Sequence, residues 1–309
     1  MNLKTTGAGK VDMSSQAGVE MTFYARVRIF LEMIKFSHTI FALPFAFTGA
    51  LLAAGGLPTL PQVGWIVGAM VGARTAAMGL NRVIDADIDA RNPRTSGRAI
   101  PAGLLSRGAV LLFIALSVAL MLFAAQMLNP LCLYLSPVAL GFILLYSYCK
   151  RFTALAHVVL GICLAGAPLG AWIAIRGTVE LPAFLLALGV LFWVAGFDIL
   201  YALQDLDFDR ESGLHSIPAK LGVIGSLWTA RIFHLAACGF LAALYVTMSL
   251  GPFFLVGLVA TCAMLLYEHW LLRDGRLECL DAAFFNMNGY ISVTLFVATL
   301  LDAVTGGAA

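Results

Sequence analysis

The chain has 309 residues, of which 61% are hydrophobic and only 12% charged, with a formal net charge of +2; its mean hydropathy is +0.92. Soluble domains carry about a quarter charged residues, so this composition excludes a water-soluble globular enzyme, and it excludes disorder, which needs low hydrophobicity and high net charge. The near-neutral balance leaves no electrostatic footprint for nucleic acid, and no nucleic-acid partner is expected.

The first twenty residues, MNLKTTGAGKVDMSSQAGVE, contain no apolar core of a signal peptide. Residues 1–25 are expected to be a flexible cytoplasmic tail, and residues 26–303 a single transmembrane domain in a lipid bilayer. A helix needs about 20 apolar residues to cross a bilayer. Nine such helices are expected, at 28–54, 62–88, 107–127, 131–149, 153–175, 181–204, 224–249, 252–272 and 281–302, with breaks at Gly55-Gly56-Leu57-Pro58, Asn129-Pro130 and Gly251-Pro252. The fold class is therefore an all-α polytopic membrane protein. Six cysteines are scattered with no CxxC pair and read as small buried hydrophobes.

Lys4, Lys10, Arg26, Arg28 and Lys35 precede or open the first span; Arg91, Arg94, Arg98 and Arg107 follow the second; Lys150 and Arg151 follow the fourth; Arg210 and Lys220 follow the sixth; Arg273 and Arg276 follow the eighth. The opposite connections hold Arg176 alone. The positive-inside rule then places the N-terminus and the basic loops in the cytoplasm and the C-terminus across the membrane. Two of these loops, 89–106 and 205–222, are long while the other turns are short, and long connections in a compact domain are usually functional.

Both long loops follow acidic helix ends. Asn81, Asp85 and Asp89 are spaced four apart and share one helix face, with Arg74 deeper on nearly the same stripe. The sixth span ends with Asp205 and Asp209, again four apart; Asp198 lies two turns earlier, with Tyr201 between. Carboxylates stacked this way repel one another, and placing them at a membrane adds several kcal/mol. Mg²⁺ would offset that charge, since it takes oxygen ligands, commonly one or two carboxylates, and keeps positions open for phosphate. Two facing sites of this kind would grip a diphosphate through two ions. Arg94, Arg98 and Lys150 could complement the phosphate oxygens, and Tyr146 lies one turn before Lys150. The plainer readings are that each acidic cluster is a solvated helix end, that the three cations are positive-inside anchors, and that the scattered histidines, His157 among them, serve helix packing. Asp198 and Arg74 resist such a reading, because a charge inside the membrane is functional or paired by default.

These residues resemble the UbiA family of intramembrane prenyltransferases: NxxxDxxxD at Asn81, Asp85 and Asp89, YxxxK at Tyr146 and Lys150, and DxxxD at Asp205 and Asp209, in that order, over roughly residues 25–302. The run GFDILYALQDLDFDRESGLHSIPAKLG at 196–222 is similar to the 4-hydroxybenzoate polyprenyltransferase branch. The loop ARNPRTSGRAIPAG, with HTIFALPFA and APLGAWIA, looks closer to enzymes that prenylate 1,4-dihydroxy-6-naphthoate in the futalosine route to menaquinone.

The resemblance implies a ring of nine helices around a central cavity opening to the cytoplasm, and Mg²⁺-dependent transfer of a polyprenyl group from polyprenyl diphosphate to an aromatic hydroxy acid in quinone biosynthesis. Asn81, Asp85, Asp89, Asp205 and Asp209 would hold two Mg²⁺, and Arg94, Arg98 and Lys150 the diphosphate. Arg74, Tyr146 and Tyr201 would contact substrate, with Asp198 orienting the acceptor or removing its proton. No obligatory protein partner is evident. A cation-coupled transporter also buries carboxylates in a helix bundle, but it predicts them near the midplane in inverted repeats; here they sit at helix ends on one face.

Overall fold

The structure, a computed structural model, describes residues 23–34, 42–273 and 280–306, without the side chains of 280–286. Most of the expected tail, and also Lys35, His38, Arg276 and Cys279, lie outside the described residues. The described chain is helical: α1 (Phe23–Met33), α2 (Leu43–Ala54), α3 (Leu60–Ile84), α4 (Ala86–Asp89), α5 (Arg107–Leu128), α6 (Pro130–Cys149), α7 (Ala156–Arg176), α8 (Leu181–Ala202), a 3-10 turn (Leu203–Asp205), α9 (Leu206–Glu211), α10 (Ile217–Met248), α11 (Pro252–Leu271) and α12 (Leu280–Thr305).

Eight of these helices, α3, α5–α8 and α10–α12, are long and apolar enough to cross a membrane. The expected first span, 28–54, is not one continuous helix. α1 ends at Met33 and α2 begins at Leu43. α1 carries Arg26, Arg28 and Glu32, and it buries Phe30, Met33 and Ile34 against Val110 and Ile114 of α5. That i, i+3, i+4 pattern belongs to an amphipathic helix lying on a surface rather than to a span. The expected 62–88 helix also breaks, at Asp85, whose φ of −90° and ψ of 0° leave the α region. The expected 224–249 helix starts earlier, at Ile217, and is kinked at Gly222, where φ is +68°.

The core lies around α8, apolar on all sides and packed between α7 and α10. Trp193, Val190 and Leu186 of α8 meet Phe45, Trp172, Leu241, Phe254 and Leu295 from surrounding helices. Two close approaches require glycine. A Cβ on Gly49 of α2 would collide with the Pro168 carbonyl of α7, and one on Gly72 of α3 would stand 2.6 Å from the Ser117 oxygen and 2.8 Å from the Met121 nitrogen of α5. Leu112, Leu116, Ile224, Leu235, Val246 and Leu266 are exposed on the outer surface, as lipid-facing residues should be. A hollow of about 120 Å³ is lined by Gly55 and Leu52 after and in α2, Met248, Phe254 and Asp302. The ends of α2, α10 and α12 therefore share one face. α3 starts from that face and carries the chain to the other, where both acidic clusters lie.

Candidate active site

The first acidic cluster forms where α3 gives way to α4. Despite the break at Asp85, the helical hydrogen bonds persist, from Asp85 N–H to the Asn81 carbonyl (2.9 Å) and from Asp89 N–H to the Asp85 carbonyl (2.8 Å). The four-residue spacing read from the sequence therefore does stack these side chains, and Asn81 Nδ2 donates to Asp85 Oδ2 at 3.0 Å. Asp85 is 2% exposed. Lys150 Nζ, at the end of α6, reaches its Oδ2 at 2.6 Å, and Arg151 Nη2 approaches its Oδ1 at 3.1 Å. Asp85 Oδ1 nevertheless accepts no hydrogen bond. Asp89 receives Arg98 Nη1 at 2.7 Å.

The second cluster follows α8. Asp205 ends the 3-10 turn, and loop 89–106 folds onto it. Asn92 Nδ2 donates to Asp205 Oδ1 at 3.1 Å. Arg94 forms a two-pronged pair with the same carboxylate, through Nε at 2.9 Å and through Nη2, and its Nη1 lies 3.4 Å from the Tyr201 hydroxyl. Arg94 and Asn92 thus engage both oxygens of the Asp205 carboxylate. Asp209 sits one turn on, hydrogen-bonded to Ser216 and within the fields of Asp205 and Lys150. The two loops and the end of α6 are tied together, since His215 N–H donates to the Lys150 carbonyl at 2.8 Å.

Deeper in the bundle, Asp198 of α8 meets His157 of α7, with Nδ1 to Oδ2 at 2.6 Å. Tyr146 lies within the fields of Asp198 and Asp85. Arg74 stands apart from these pairs, and its buried Nε has no hydrogen-bond partner. The structure thus brings Asn81, Asp85, Asp89, Asp205, Asp209, Arg94, Arg98, Lys150, Tyr146 and Tyr201 to one end of the bundle, with Asp198 and Arg74 below them.

Sequence reasoning missed three participants. Asn92 was given no role within its loop, Arg151 read as a positive-inside anchor and His157 as a packing residue. Arg151 donates to the Ser147 and Ile84 carbonyls, each at 2.8 Å, and so fastens the end of α3 to the end of α6.

The donor set suits a hard cation. It consists of carboxylate and amide oxygens, and Asp85 Oδ1 is buried without a hydrogen bond. Among the described residues no three acidic, histidine or cysteine side chains already stand at coordinating positions. The reason is visible in the pairing: Lys150, Arg98 and Arg94 each hold one of the carboxylates.

A family model described as the UbiA prenyltransferase family matches residues 42–290. A 4-hydroxybenzoate octaprenyltransferase of Alkalilimnicola ehrlichii is 34% identical over 267 residues, covering 84% of this chain and 88% of that one. One of Aromatoleum aromaticum is 31% identical over 294 residues, covering 93% and 98%. The apo structure of a UbiA homolog from Aeropyrum pernix superposes with a TM-score of 0.80 at 34% identity, covering 86% of this chain and 98% of that one. A UbiA homolog from Archaeoglobus fulgidus bound to GPP and Mg²⁺ shares the fold at a TM-score of 0.69 and 20% identity, covering 89% and 99%. With helices fit to span a bilayer and a family match over most of its length, the chain is an integral membrane prenyltransferase and belongs to the UbiA family.

Proposed function

We propose that this enzyme transfers a polyprenyl group from a polyprenyl diphosphate to the ring of 4-hydroxybenzoate, with two Mg²⁺, as in ubiquinone synthesis. The observation that carries the reading is the closure of loop 89–106 onto Asp205 through Asn92 and Arg94. It makes one polar chamber from two acidic helix ends, above an apolar bundle that suits a prenyl tail. The names of the relatives, 4-hydroxybenzoate octaprenyltransferases, support the substrates, as do UbiA homologs solved with DMAPP or GPP and Mg²⁺.

Asn81, Asp85 and Asp89 would hold one ion and Asp205 and Asp209 the other. Bound Mg²⁺ supplies Lewis acidity that neutralises charge on the departing diphosphate. Arg94, Arg98 and Lys150, freed from their carboxylates, have the charge and donors to grip diphosphate oxygens. The allylic C–O bond breaks with its electron pair leaving on the diphosphate. Tyr146 and Tyr201 would offer aromatic faces to the resulting cation. The ring carbon ortho to the acceptor hydroxyl attacks, and loss of its proton restores aromaticity. Arg74, buried with an unpartnered Nε, would receive the acceptor carboxylate, and Asp198 would act on the acceptor.

The enzyme would sit in the cytoplasmic membrane with its N-terminus and both acidic loops in the cytoplasm. Basic residues and exposed aromatics at the acidic end support this: Arg231 packs on Trp228 and Arg273 on Trp270, each at 4.9 Å, an interfacial arrangement on the positive side.

The test uses membranes containing the protein, Mg²⁺ and a labelled polyprenyl diphosphate. 4-Hydroxybenzoate and 1,4-dihydroxy-6-naphthoate are offered in parallel, and label is followed into a lipid-soluble acid. Product with the benzoate is expected. Product with the naphthoate only would move the enzyme to menaquinone synthesis, and no product with either would sink the aromatic-acceptor reading.

A further inference from the structure

From the geometry around α7 and α8, we infer that His157 and Asp198 form a dyad in which His157 positions Asp198 as the carboxylate that takes the ring proton during aromatic prenylation. The inference rests on the proposed reaction and assigns the step that reaction leaves open.

The hydrogen bonds set the roles of the two ring nitrogens. Ile217 N–H, in the first turn of α10, donates to His157 Nε2 at 3.4 Å. That nitrogen must then offer a lone pair, which leaves the imidazole proton on Nδ1. Nδ1 lies 2.6 Å from Asp198 Oδ2, so the imidazole donates and the carboxylate accepts. A directed N–H at this distance orients the carboxylate and fixes its rotamer.

Exposure differs across the pair. The His157 side chain is 5% exposed and the Asp198 side chain 21%. The histidine is therefore enclosed between α7, α8 and the start of α10, while the carboxylate keeps part of its surface accessible. Asp198 of α8 lies seven residues before Asp205, which ends the 3-10 turn that continues α8, so it sits about 10 Å deeper at 1.5 Å per residue. Tyr146 is within its field. A base at that depth stands below the diphosphate grip, where the ring must lie for its carbon to meet the allylic end.

The step balances. The new C–C bond forms between the allylic carbon and the ring carbon ortho to the hydroxyl. The C–H bond at that carbon then breaks, its electron pair returns to the ring and its proton goes to the free oxygen of Asp198. No oxidant or further reactant is needed. Asp198 touches the reacting hydrogen and His157 acts through it, so His157 is a positioning residue.

The experiment compares wild type, H157L, H157Q and D198N in membranes, with Mg²⁺, polyprenyl diphosphate and 4-hydroxybenzoate either unlabelled or deuterated ortho to the hydroxyl. Prenylated acid and total diphosphate released are measured together. H157L removes the donor, and aromatic prenylation should fall roughly ten- to a hundredfold, within the range of general-base effects. It should fall more steeply than diphosphate release, because ionisation precedes the proton step. A primary isotope effect, absent in wild type, should emerge in H157L and D198N. H157Q, whose amide can both donate to Asp198 and accept from Ile217, should recover much of the loss and the product-to-diphosphate ratio. A purely structural role would lower both outputs together and leave the isotope effect at unity; that result in H157L and H157Q would overturn the dyad. A wild-type protein that prenylates no aromatic acid would overturn the underlying reaction, and the proton role with it.

Discussion

At the scale of single residues, the site pairs Asp85, Asp89 and Asp205 with cations carried on other elements. Asp85 is nine-tenths or more buried, yet its partners Lys150 and Arg151 keep 30% and 31% side-chain exposure. Asp85→Asn should therefore fold, because both cations can return to water, while losing a charge that a metal ligand needs. Turnover should fall by about a hundredfold or more, and the same is expected for Asp205→Asn. Near wild-type activity in either variant, in protein that still runs as a single species in size-exclusion chromatography, would sink the two-metal reading. Asn92→Ala tests a contact the sequence did not reveal. It removes the donor to Asp205 and the cap on Arg94 N–H (2.9 Å), and the KM for prenyl diphosphate should rise about tenfold, the scale of one hydrogen bond to a charged group. Steady-state kinetics at saturating acceptor would show it. The residues split by how local their signal is. Asn81, Asp85 and Asp89 were legible because four-residue spacing alone stacks them. Asn92 and His157 were not, because their partners lie 113 and 41 residues away and an Asn-Pro turn or a lone histidine in an apolar helix carries no mark of them.

At the scale of elements, apolar runs and Pro/Gly breaks were enough to locate the helices, and Asn129-Pro130 shows why. Asn129 ends α5, caps α6 by accepting from Cys132 N–H at 3.0 Å, and donates to the Ile173 carbonyl of α7 at 2.7 Å. The division of the first span was harder to read, because hydropathy merges an amphipathic surface helix with the apolar segment that follows. How helices approach was also hidden. Gly72 is one of many glycines in apolar sequence, but it alone lets α3 lie against the α5 backbone beside Ser117 and Met121. Gly72→Ala must push the two helices apart, since backbone atoms cannot step aside. A loss of about 2 kcal/mol is expected, within the range for overpacked cores. Because α3 carries Asn81 and Asp85 at its far end, activity should fall together with thermal stability in detergent. A variant as stable as wild type would show that the α3–α5 contact yields more readily than its geometry implies.

At the scale of the whole molecule, loop 89–106 bridges the two acidic helix ends, and the charges there are mutually engaged. That has a consequence for binding. Mg²⁺ alone must displace Arg98 from Asp89, Lys150 from Asp85 and Arg94 from Asp205, leaving those cations unpaired beside a new positive charge. A diphosphate alone must enter against the carboxylates. Together each relieves the other, since the cations gain phosphate oxygens as the carboxylates gain metal. The two ligands should therefore bind with positive coupling, and by linkage each must strengthen the other equally. We expect a non-hydrolysable prenyl diphosphate analogue to raise the apparent affinity for Mg²⁺ at least about tenfold, roughly 1.4 kcal/mol of coupling. Thermal-shift titrations of Mg²⁺ with and without the analogue would measure it, and Arg98→Met should weaken the coupling by removing one of the exchanged cations. Independent binding of metal and analogue in the wild-type protein would mean that the ion pairs are not what keeps the carboxylates from the metal.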